Sequence, residues 1–257
     1  GALSLRIKSR GELSAIDRFR ASGAFKALFP RRAPGVEAII LNTAGGVTGG
    51  DRFQLSAEVG QGAHLTLTTQ AAERAYRSSD GWGRTESTVS VETDATLHWL
   101  PQELILFDGC ALRRRLRIDL SETARALVVE PVIFGRTAMG ETLKTARFHD
   151  QIALFRQGRP IYRDAVRMDG NIATQLSRGA VTAGAGAMAS LVYVAPDAGA
   201  QLAPVRAMLP ETGGASLLGD DILVMRVVAA GSHELRRTLL PVLDRLSRDA
   251  LPTSWRL

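Results

Sequence analysis

The sequence contains a repeated strand–turn–strand unit, which limits the chain to a small number of folds. Three short alternating strands are each followed by a turn and by an alanine that opens a second strand, and these alanines are Ala63, Ala95 and Ala124. They fall 32 and then 29 residues apart. Tandem units of this length indicate stacked layers that share one core. We therefore predict a mainly β protein built from a solenoid-like, β-helix-like stack of strand layers.

The last third of the chain changes character and predicts about two α-helices. Apolar residues recur at helical spacing in residues 198–209, and again from Ser232, a possible N-cap, to Ala250. Pro241 lies inside the second segment and is expected to kink or interrupt it. No low-complexity linker divides the chain. We expect one domain over residues 1–257, with a β-rich body of about 1–195 and a mixed helical and strand part of about 196–257.

A glycine-rich run, GGVTGGD at residues 45–51, predicts a sharp turn that ends on the carboxylate of Asp51. Glycine enters positive-φ regions at little cost, so two glycine pairs favour a tight turn between strands. A phosphate-binding loop fits poorly, because no Gly-Lys-Ser/Thr follows and the next residues alternate like a strand rather than opening a helix.

Composition narrows the class of protein. The formal net charge is +6, and it comes almost entirely from arginine, which favours bidentate contacts with carboxylates or phosphates. Aromatic residues make up only 5% of the chain, so base stacking on nucleic acid is disfavoured. One cysteine excludes an internal disulfide framework and a cysteine zinc cage, and it suits a reducing cytoplasm. No apolar stretch approaches the ~18 residues of a membrane span.

Four carboxylates are candidates for chemistry, although structural roles are the simpler explanation for each of them. Glu103 and Asp108 flank an apolar strand and could form a general acid/base pair, yet their odd spacing puts them on opposite faces of that strand. Glu130 and Glu141 flank Arg136, and a buried ion pair of Arg136 with one of them is the simpler interpretation than a metal or substrate site.

Histidine and cysteine offer little catalytic support. The four histidines show no H-x-x-x-H or H-x-H spacing, which disfavours a zinc hydrolase, although His64 and His98 occupy neighbouring positions of the repeat and could approach each other. Cys110 has no histidine close to it in the sequence.

An arginine cluster, Arg113, Arg114, Arg115 and Arg117, is either a solvated strand face or a docking patch for an acidic partner. From the residues alone, the chain is a soluble β-rich protein without an evident active site.

Four segments, taken together and in this order, resemble the family of the urease accessory protein UreD, also called UreH. The likeness covers nearly the whole chain, and its departures are small: Arg74 stands where lysine is common and Cys110 where a small apolar residue is usual. The four segments are residues 45–51 (GGVTGGD), 68–78 (TTQAAERAYRS), 100–109 (LPQELILFDG) and 135–141 (GRTAMGE).

The resemblance implies a non-enzymatic scaffold with a β-rich, solenoid-like body and a few helices. Proteins of this family bind apo-urease and the accessory protein UreF, which recruits the GTPase UreG carrying nickel. No tightly bound cofactor is implied, but transient Ni²⁺ is, because nickel is thought to reach urease through a water-filled passage in the UreD-like subunit. Neither nucleic acid nor a membrane is an expected partner.

Ni²⁺ in transit needs oxygen or imidazole ligands that hold it weakly and in succession. We therefore expect a set of carboxylates to line or gate the passage, with Thr69 and Gln70 as polar lining and with His64 and His98 as weaker candidates. The carboxylates are Asp51, Glu103, Asp108, Glu130 and Glu141. Two alternatives stay open: a small β-rich hydrolase that uses Glu103 and Asp108, and a pure protein–protein adaptor without metal traffic.

Overall fold

Strands form most of the computed structural model, which describes residues 1–31, 34–136 and 139–256. Across these residues, one sheet contains β1 (Ala2–Arg10), β2 (Leu13–Ser22), β5 (Arg52–Val59), β8 (Gly83–Val91), β11 (Ala111–Leu120), β13 (Ala146–Arg156) and β14 (Arg159–Gly170). The other sheet contains β3 (Phe25–Leu28), β4 (Val36–Asn42), β6 (His64–Thr69), β7 (Glu73–Ala75), β9 (Thr96–Leu100), β10 (Leu104–Leu106), β12 (Arg125–Phe134), β15 (Ala187–Val194), β16 (Gly213–Leu217) and β17 (Ile222–Ala229).

The predicted repeat is confirmed as the coils of a β-solenoid. The chain passes from β5 to β6, from β8 to β9 and from β11 to β12, and each step carries it from the first sheet to the second. Within each sheet the equivalent strands of successive coils pair in parallel and in register. Ala63, Ala95 and Ala124 lie just before the second strand of their coils and are at most 4% exposed. Small side chains at this corner allow the coils to stack closely.

The main hydrophobic core lies between the two sheets. Strand alternation directs every second side chain inward, so Val89 and Ile118 of the first sheet meet Leu65 and Leu97 of the second, and all four are fully buried. Apolar burial of this kind is worth about 1.5–3 kcal/mol for each large aliphatic side chain. Inward polar residues must therefore be paired or lie beside a cavity, and this condition locates the candidate site.

A second core covers the outer face of the second sheet and contains the two longer helices. The structure has α1 (Ile172–Leu176), α2 (Ala198–Met208), α3 (Ser232–Ser247) and a 3₁₀ turn at Thr253–Trp255. The prediction of two helices in this part of the chain is confirmed. Leu235, Leu239 and Val242 of α3 are fully buried against the sheet, as the helical spacing predicted.

The expectation for Pro241 is wrong in one respect, because α3 runs through this residue without interruption. Pro241 lies on the exposed side of the helix. The carbonyl group that loses its N–H partner there can bond to water, while the buried face of α3 stays in contact with the sheet.

Antiparallel β13 and β14 form a hairpin whose turn lies at Gln157 and Gly158. It closes one edge of the first sheet, and antiparallel β1 and β2 close the other. None of the helices in the described part of the chain combines the length and hydropathy that crossing a bilayer would require.

Candidate functional site: a cavity between the sheets

A cavity of about 290 Å³ lies between the two sheets, beside the main core. Side chains of β5, β8 and β11 form one wall, and side chains of β4, β6, β9 and β12 form the other. Small polar residues, Thr85 and Ser87 on β8, occupy inward positions where larger apolar side chains would fill the space. Of the predicted passage residues, the wall includes Glu130, Thr69 and Gln70.

A buried ion network forms the charged part of the wall. Arg114 Nη1 lies 2.5 Å from Glu130 Oε2, and the Arg114 guanidinium donates two hydrogen bonds, of 2.9 and 2.6 Å, to Asp150. Trp99 Nε1 donates to the other oxygen of Glu130 at 2.7 Å. Burial raises the pKa of the Glu130 carboxyl, and the Arg114 charge opposes that rise. Burial also disfavours the charged form of Arg114, but Asp150 and Glu130 outweigh this effect and raise its pKa.

Two polar atoms on this wall lack a partner among the described residues. Thr85 Oγ1 and Gln102 Nε2 are buried and make no hydrogen bond to the protein. Both residues line the cavity. Buried polar groups rarely stay unpaired, since each costs about 1–3 kcal/mol without a partner. Most of the lining is apolar, so these two atoms and the ion network form a polar stretch of the wall that can bind water or a hydrated ligand.

Glu73 adds a second carboxylate to the cavity wall, and it was absent from the predicted set. Asn42 Nδ2 donates to Glu73 Oε2 at 3.1 Å, and the Arg74 N–H donates to Glu73 Oε1 at 3.0 Å. Burial raises the pKa of the Glu73 carboxyl, and the nearby charge of Asp51 adds to the rise. Glu73 stands within the second family-like segment, so its position in that motif was the available signal.

The glycine-rich run connects β4 to β5, as predicted, and Gly45 reaches the cavity wall. Asp51 Oδ2 accepts a hydrogen bond from the Thr48 N–H at 2.9 Å, which holds the turn closed. Gly49 is required by close approach, because a Cβ there would lie 2.0 Å from the Asp80 carbonyl oxygen. Asp51 is thus a structural acceptor that also lies near enough to Glu73 to affect its charge.

Asp108 and Glu141 form a separate loop cluster outside the cavity wall. Asp108 Oδ1 accepts from the N–H groups of Lys144 and Thr145 at 2.7 and 2.9 Å, and Arg77 lies 3.2 Å from Oδ2. The predicted pair of Arg136 with Glu141 is present at 2.8 Å, but the Arg136 side chain is 44% exposed rather than buried. Thr137 and Ala138 of this motif lie outside the described residues.

Replacement of Asp108 with asparagine is expected to destabilise the protein by about 1 kcal/mol at pH 7, after allowance for solvent screening. Burial alone would raise the pKa of Asp108, but the N–H groups of Thr145 and Lys144 and the Arg77 charge hold it below its usual range. A lowered folded-state pKa gives stability that is complete above the unfolded pKa, about 4, and is lost as pH falls through the folded value.

Urea unfolding at pH 7 and at progressively lower pH measures this difference. The wild type and Asp108→Asn curves should converge at acidic pH, where both side chains are neutral. Asp220→Asn, the same change at an exposed turn residue, is the matched control. A difference between wild type and Asp108→Asn that persists unchanged at acidic pH would contradict the electrostatic explanation.

Glu103 binds a different partner from Asp108. It is 5% exposed, and its two oxygens accept hydrogen bonds of 3.0 and 3.2 Å from Arg236 Nη1 on α3. Arg236 Nη1 also donates to Gln102 Oε1 at 2.8 Å, which links the cavity wall to the second core. Glu103 and Asp108 are thus held in separate polar clusters.

His64 and His98 meet edge to face, with ring centroids 4.6 Å apart, so the predicted approach is present. Neither is among the residues that line the cavity. Among the described residues, no group of three or more histidine, cysteine or acidic side chains is placed to hold a metal ion. Cys110 is fully buried, and burial raises the pKa of its thiol to about 12, which makes it a poor nucleophile.

The arginine cluster divides between the two faces of β11. Arg114 points inward with Leu112 and Leu116, so the prediction that it belongs to a surface docking patch is wrong. The physical reason is the two-residue period of a strand, which places adjacent side chains on opposite faces. Arg113, Arg115 and Arg117 project from the outer face.

Comparison with known proteins decides the family. The family described as UreD urease accessory protein matches residues 1–256. The chain belongs to the UreD family. The protein named urease accessory protein UreD in Ruegeria pomeroyi is 52% identical over 255 residues, which cover 98% of this chain and 99% of that relative. The UreD of Roseobacter denitrificans is 50% identical, with 95% and 90% covered, and that of Rhizobium leguminosarum bv. viciae is 39% identical, with 98% and 96% covered.

Membership of the UreD family confirms the resemblance drawn from the four segments. It makes the chain a urease maturation factor and not a catalyst. The alternative of a small hydrolase that uses Glu103 and Asp108 is therefore wrong, and the separate ion pairs of these two residues give the physical reason.

Proposed function

We propose that this chain is the scaffold on which apo-urease and the UreF–UreG accessory proteins assemble, and that it passes Ni²⁺ to urease through the cavity between its sheets. Membership of the UreD family supports the scaffold role. The cavity, with Glu130, Glu73 and two buried polar atoms that have no protein partner among the described residues on its wall, is the observation that supports the passage. Ni²⁺ is cargo here and not a resident cofactor.

The side chains of the cavity wall are better suited to passing Ni²⁺ along than to holding it tightly. Glu130 already shares its oxygens with Arg114 and Trp99, so it can offer only a weak and transient ligand to an incoming cation. A metal ion in transit needs binding sites whose affinity is high enough for the ion to enter and low enough for it to leave. Glu73 and the polar side chains of Thr69 and Gln70 supply further oxygen donors along the same wall.

The geometry favours some of the predicted passage residues over others. We assign the passage to Glu130, Glu73, Thr69 and Gln70, with Asp51 acting on Glu73 through its charge. Glu103 lies behind Gln102, where it anchors Arg236. Asp108, Glu141, His64 and His98 are not cavity-lining residues, so we expect them to support the fold instead.

Co-purification from cells that express the urease gene cluster tests the scaffold. We expect a tagged form of this chain to retain both UreF and apo-urease, with UreG present only when UreF is present. Deletion of UreF should remove UreG from the eluate and leave this chain intact. Absence of both UreF and apo-urease would overturn the scaffold proposal, whatever the state of the cavity.

A further inference from the structure

A row of basic side chains, four arginines and one histidine, crosses the outer face of the first sheet. Strand register places Arg52 of β5 beside Arg84 of β8, which pairs with Arg113 of β11. Arg113 then pairs with His149 of β13, which pairs with Arg167 of β14. We call these five residues the cationic ladder. The first four of these strands pair in parallel, and β14 pairs antiparallel with β13. The fold thereby aligns residues that are up to 115 positions apart in the sequence.

Most of the ladder is available to a ligand. Arg52, Arg84 and Arg167 are exposed, and Arg113 and His149 are half-buried. Within the described residues, Arg52, Arg84 and Arg113 have no carboxylate within ion-pair distance. At the β14 end of the ladder, the Asp169 carboxylate lies 3.0 Å from both His149 and Arg167 and is their acidic partner. Glu86 is the acid on the adjacent row, opposite Arg115. The ladder therefore carries unneutralised positive charge along most of its length.

The Trp82 ring packs against side chains in the middle of the ladder. The Arg113 guanidinium lies 4.3 Å from the Trp82 ring centroid, the Arg147 guanidinium lies 4.8 Å from it, and the His149 ring lies 4.6 Å from it. Cation–π contacts of this kind hold a guanidinium in place while its N–H groups stay available to an anion. Because the Trp82 ring is already occupied by these groups, it is poorly placed to stack on a nucleic-acid base.

The spacing of the ladder selects the shape of its ligand. Neighbouring strands lie about 4.8 Å apart, so five rungs span about 19 Å. One turn of an α-helix rises about 5.4 Å, which is close to the strand spacing. Acidic residues on successive helical turns are therefore displaced from the basic residues of the ladder by only about 2–3 Å over its whole length. Same-face residues of an extended strand are about 6.7 Å apart, so over the same length they are displaced from the basic residues of the ladder by about 8 Å. Long arginine side chains can absorb the first mismatch but not the second.

We infer that the cationic ladder is a docking surface for an acidic α-helix of a partner protein, lying across the strands with its carboxylates on one face. The inference deepens the proposed scaffold role, because it gives one partner a surface and a chemistry. Charge complementarity of an exposed row steers association and fixes register, and it weakens as salt screens the charges.

Fluorescence anisotropy with synthetic helices tests the inference on the full chain. One labelled alanine-based peptide of about sixteen residues carries glutamates on a single face, at i, i+4, i+7 and i+11. A second has the same composition with the glutamates distributed around the helix. We expect the first to bind at least about ten times more tightly at low salt, and we expect its affinity to fall as salt rises.

Charge reversal locates the site. Arg84→Glu combined with Arg113→Glu should weaken binding of the one-faced peptide by at least about tenfold, and the milder Arg84→Gln with Arg113→Gln should act in the same direction. The control is Arg178→Glu with Arg237→Glu, the same change in net charge at exposed residues of a loop and of α3. We expect the control to change the affinity by less than about twofold.

Three outcomes would overturn the inference: equal binding of the two peptides, equal loss in the control, or tighter binding of a single-stranded oligonucleotide than of the one-faced peptide. The last outcome would make the ladder a nucleic-acid surface. Because the assay measures peptide affinity alone, its failure leaves the co-purification test of the scaffold role unaffected.

Discussion

Replacement of Arg114 with methionine is expected to lower the free energy of unfolding by about 3–5 kcal/mol, the cost of removing one partner from a buried ion pair. The Arg114 side chain is 14% exposed, and it lies between Glu130 and Asp150, which are 3% and 8% exposed. Methionine fills much of the same volume but leaves two carboxylates facing each other without a counter-charge. Such a loss is a large share of the roughly 5–15 kcal/mol that stabilises a typical protein.

Chemical denaturation of the full chain measures this effect, and β11 offers a matched control one residue away. Arg115→Met makes the same change on the exposed face, where we expect a shift of no more than about 0.5 kcal/mol. Adding Glu130→Gln and Asp150→Asn to Arg114→Met should restore part of the stability, because no buried charge is then left unpaired. Equal effects of Arg114→Met and Arg115→Met would show that the network does not stabilise the fold.

Replacement of Ser87 with phenylalanine is expected to reduce nickel-dependent urease activation by at least about tenfold, because the larger side chain occupies a passage that must admit a hydrated cation. Ser87 lines the cavity from an inward position of β8. Filling an existing cavity causes less strain than overpacking a full core, so the variant should still fold. Partner binding should also persist, because the substitution lies inside the solenoid.

Reconstituted activation with purified apo-urease, the accessory proteins and Ni²⁺ measures the block, and co-purification of the same variant checks assembly. Ser90→Phe on the same strand is the control, because Ser90 projects from the opposite face. Normal activation with Ser87→Phe, together with intact assembly, would support the pure adaptor and remove the passage from the proposal. Loss of assembly in Ser87→Phe alone would also count against a role confined to the cavity.

Local patterns in the sequence were sufficient to predict the coils and several contacts. The spacing of Ala63, Ala95 and Ala124 predicted stacked layers, and the approach of His64 to His98 followed from equivalent positions in two coils. The pairing of Arg136 with Glu141 spans only five residues, which a short loop can bring together. These features depend on local alternation or on one repeat length, and both can be read from a single sequence.

The contents of the site were harder to predict. In the sequence, Arg114 is grouped with three other arginines and resembles part of a surface cluster. It shares its strand face with the apolar Leu112 and Leu116, and this alternation is the signal that it points inward. Its partner Asp150 is 36 residues away, and Glu130 lies on the opposite sheet. Glu73 lies within the second family-like segment, but nothing near it in the chain indicates that Asn42, 31 residues earlier, is its partner.

Neighbouring residues and one repeat length are enough to predict that strands alternate between two faces, that they recur in coils and that helices follow them. The pairing of inward polar side chains, the position of the 290 Å³ cavity and the alignment of basic residues across the first sheet become visible in the folded chain alone. The physical reason is that these contacts depend on the register between coils and on the distance between sheets. Both quantities are set by the packing of the whole core rather than by any local stretch of sequence.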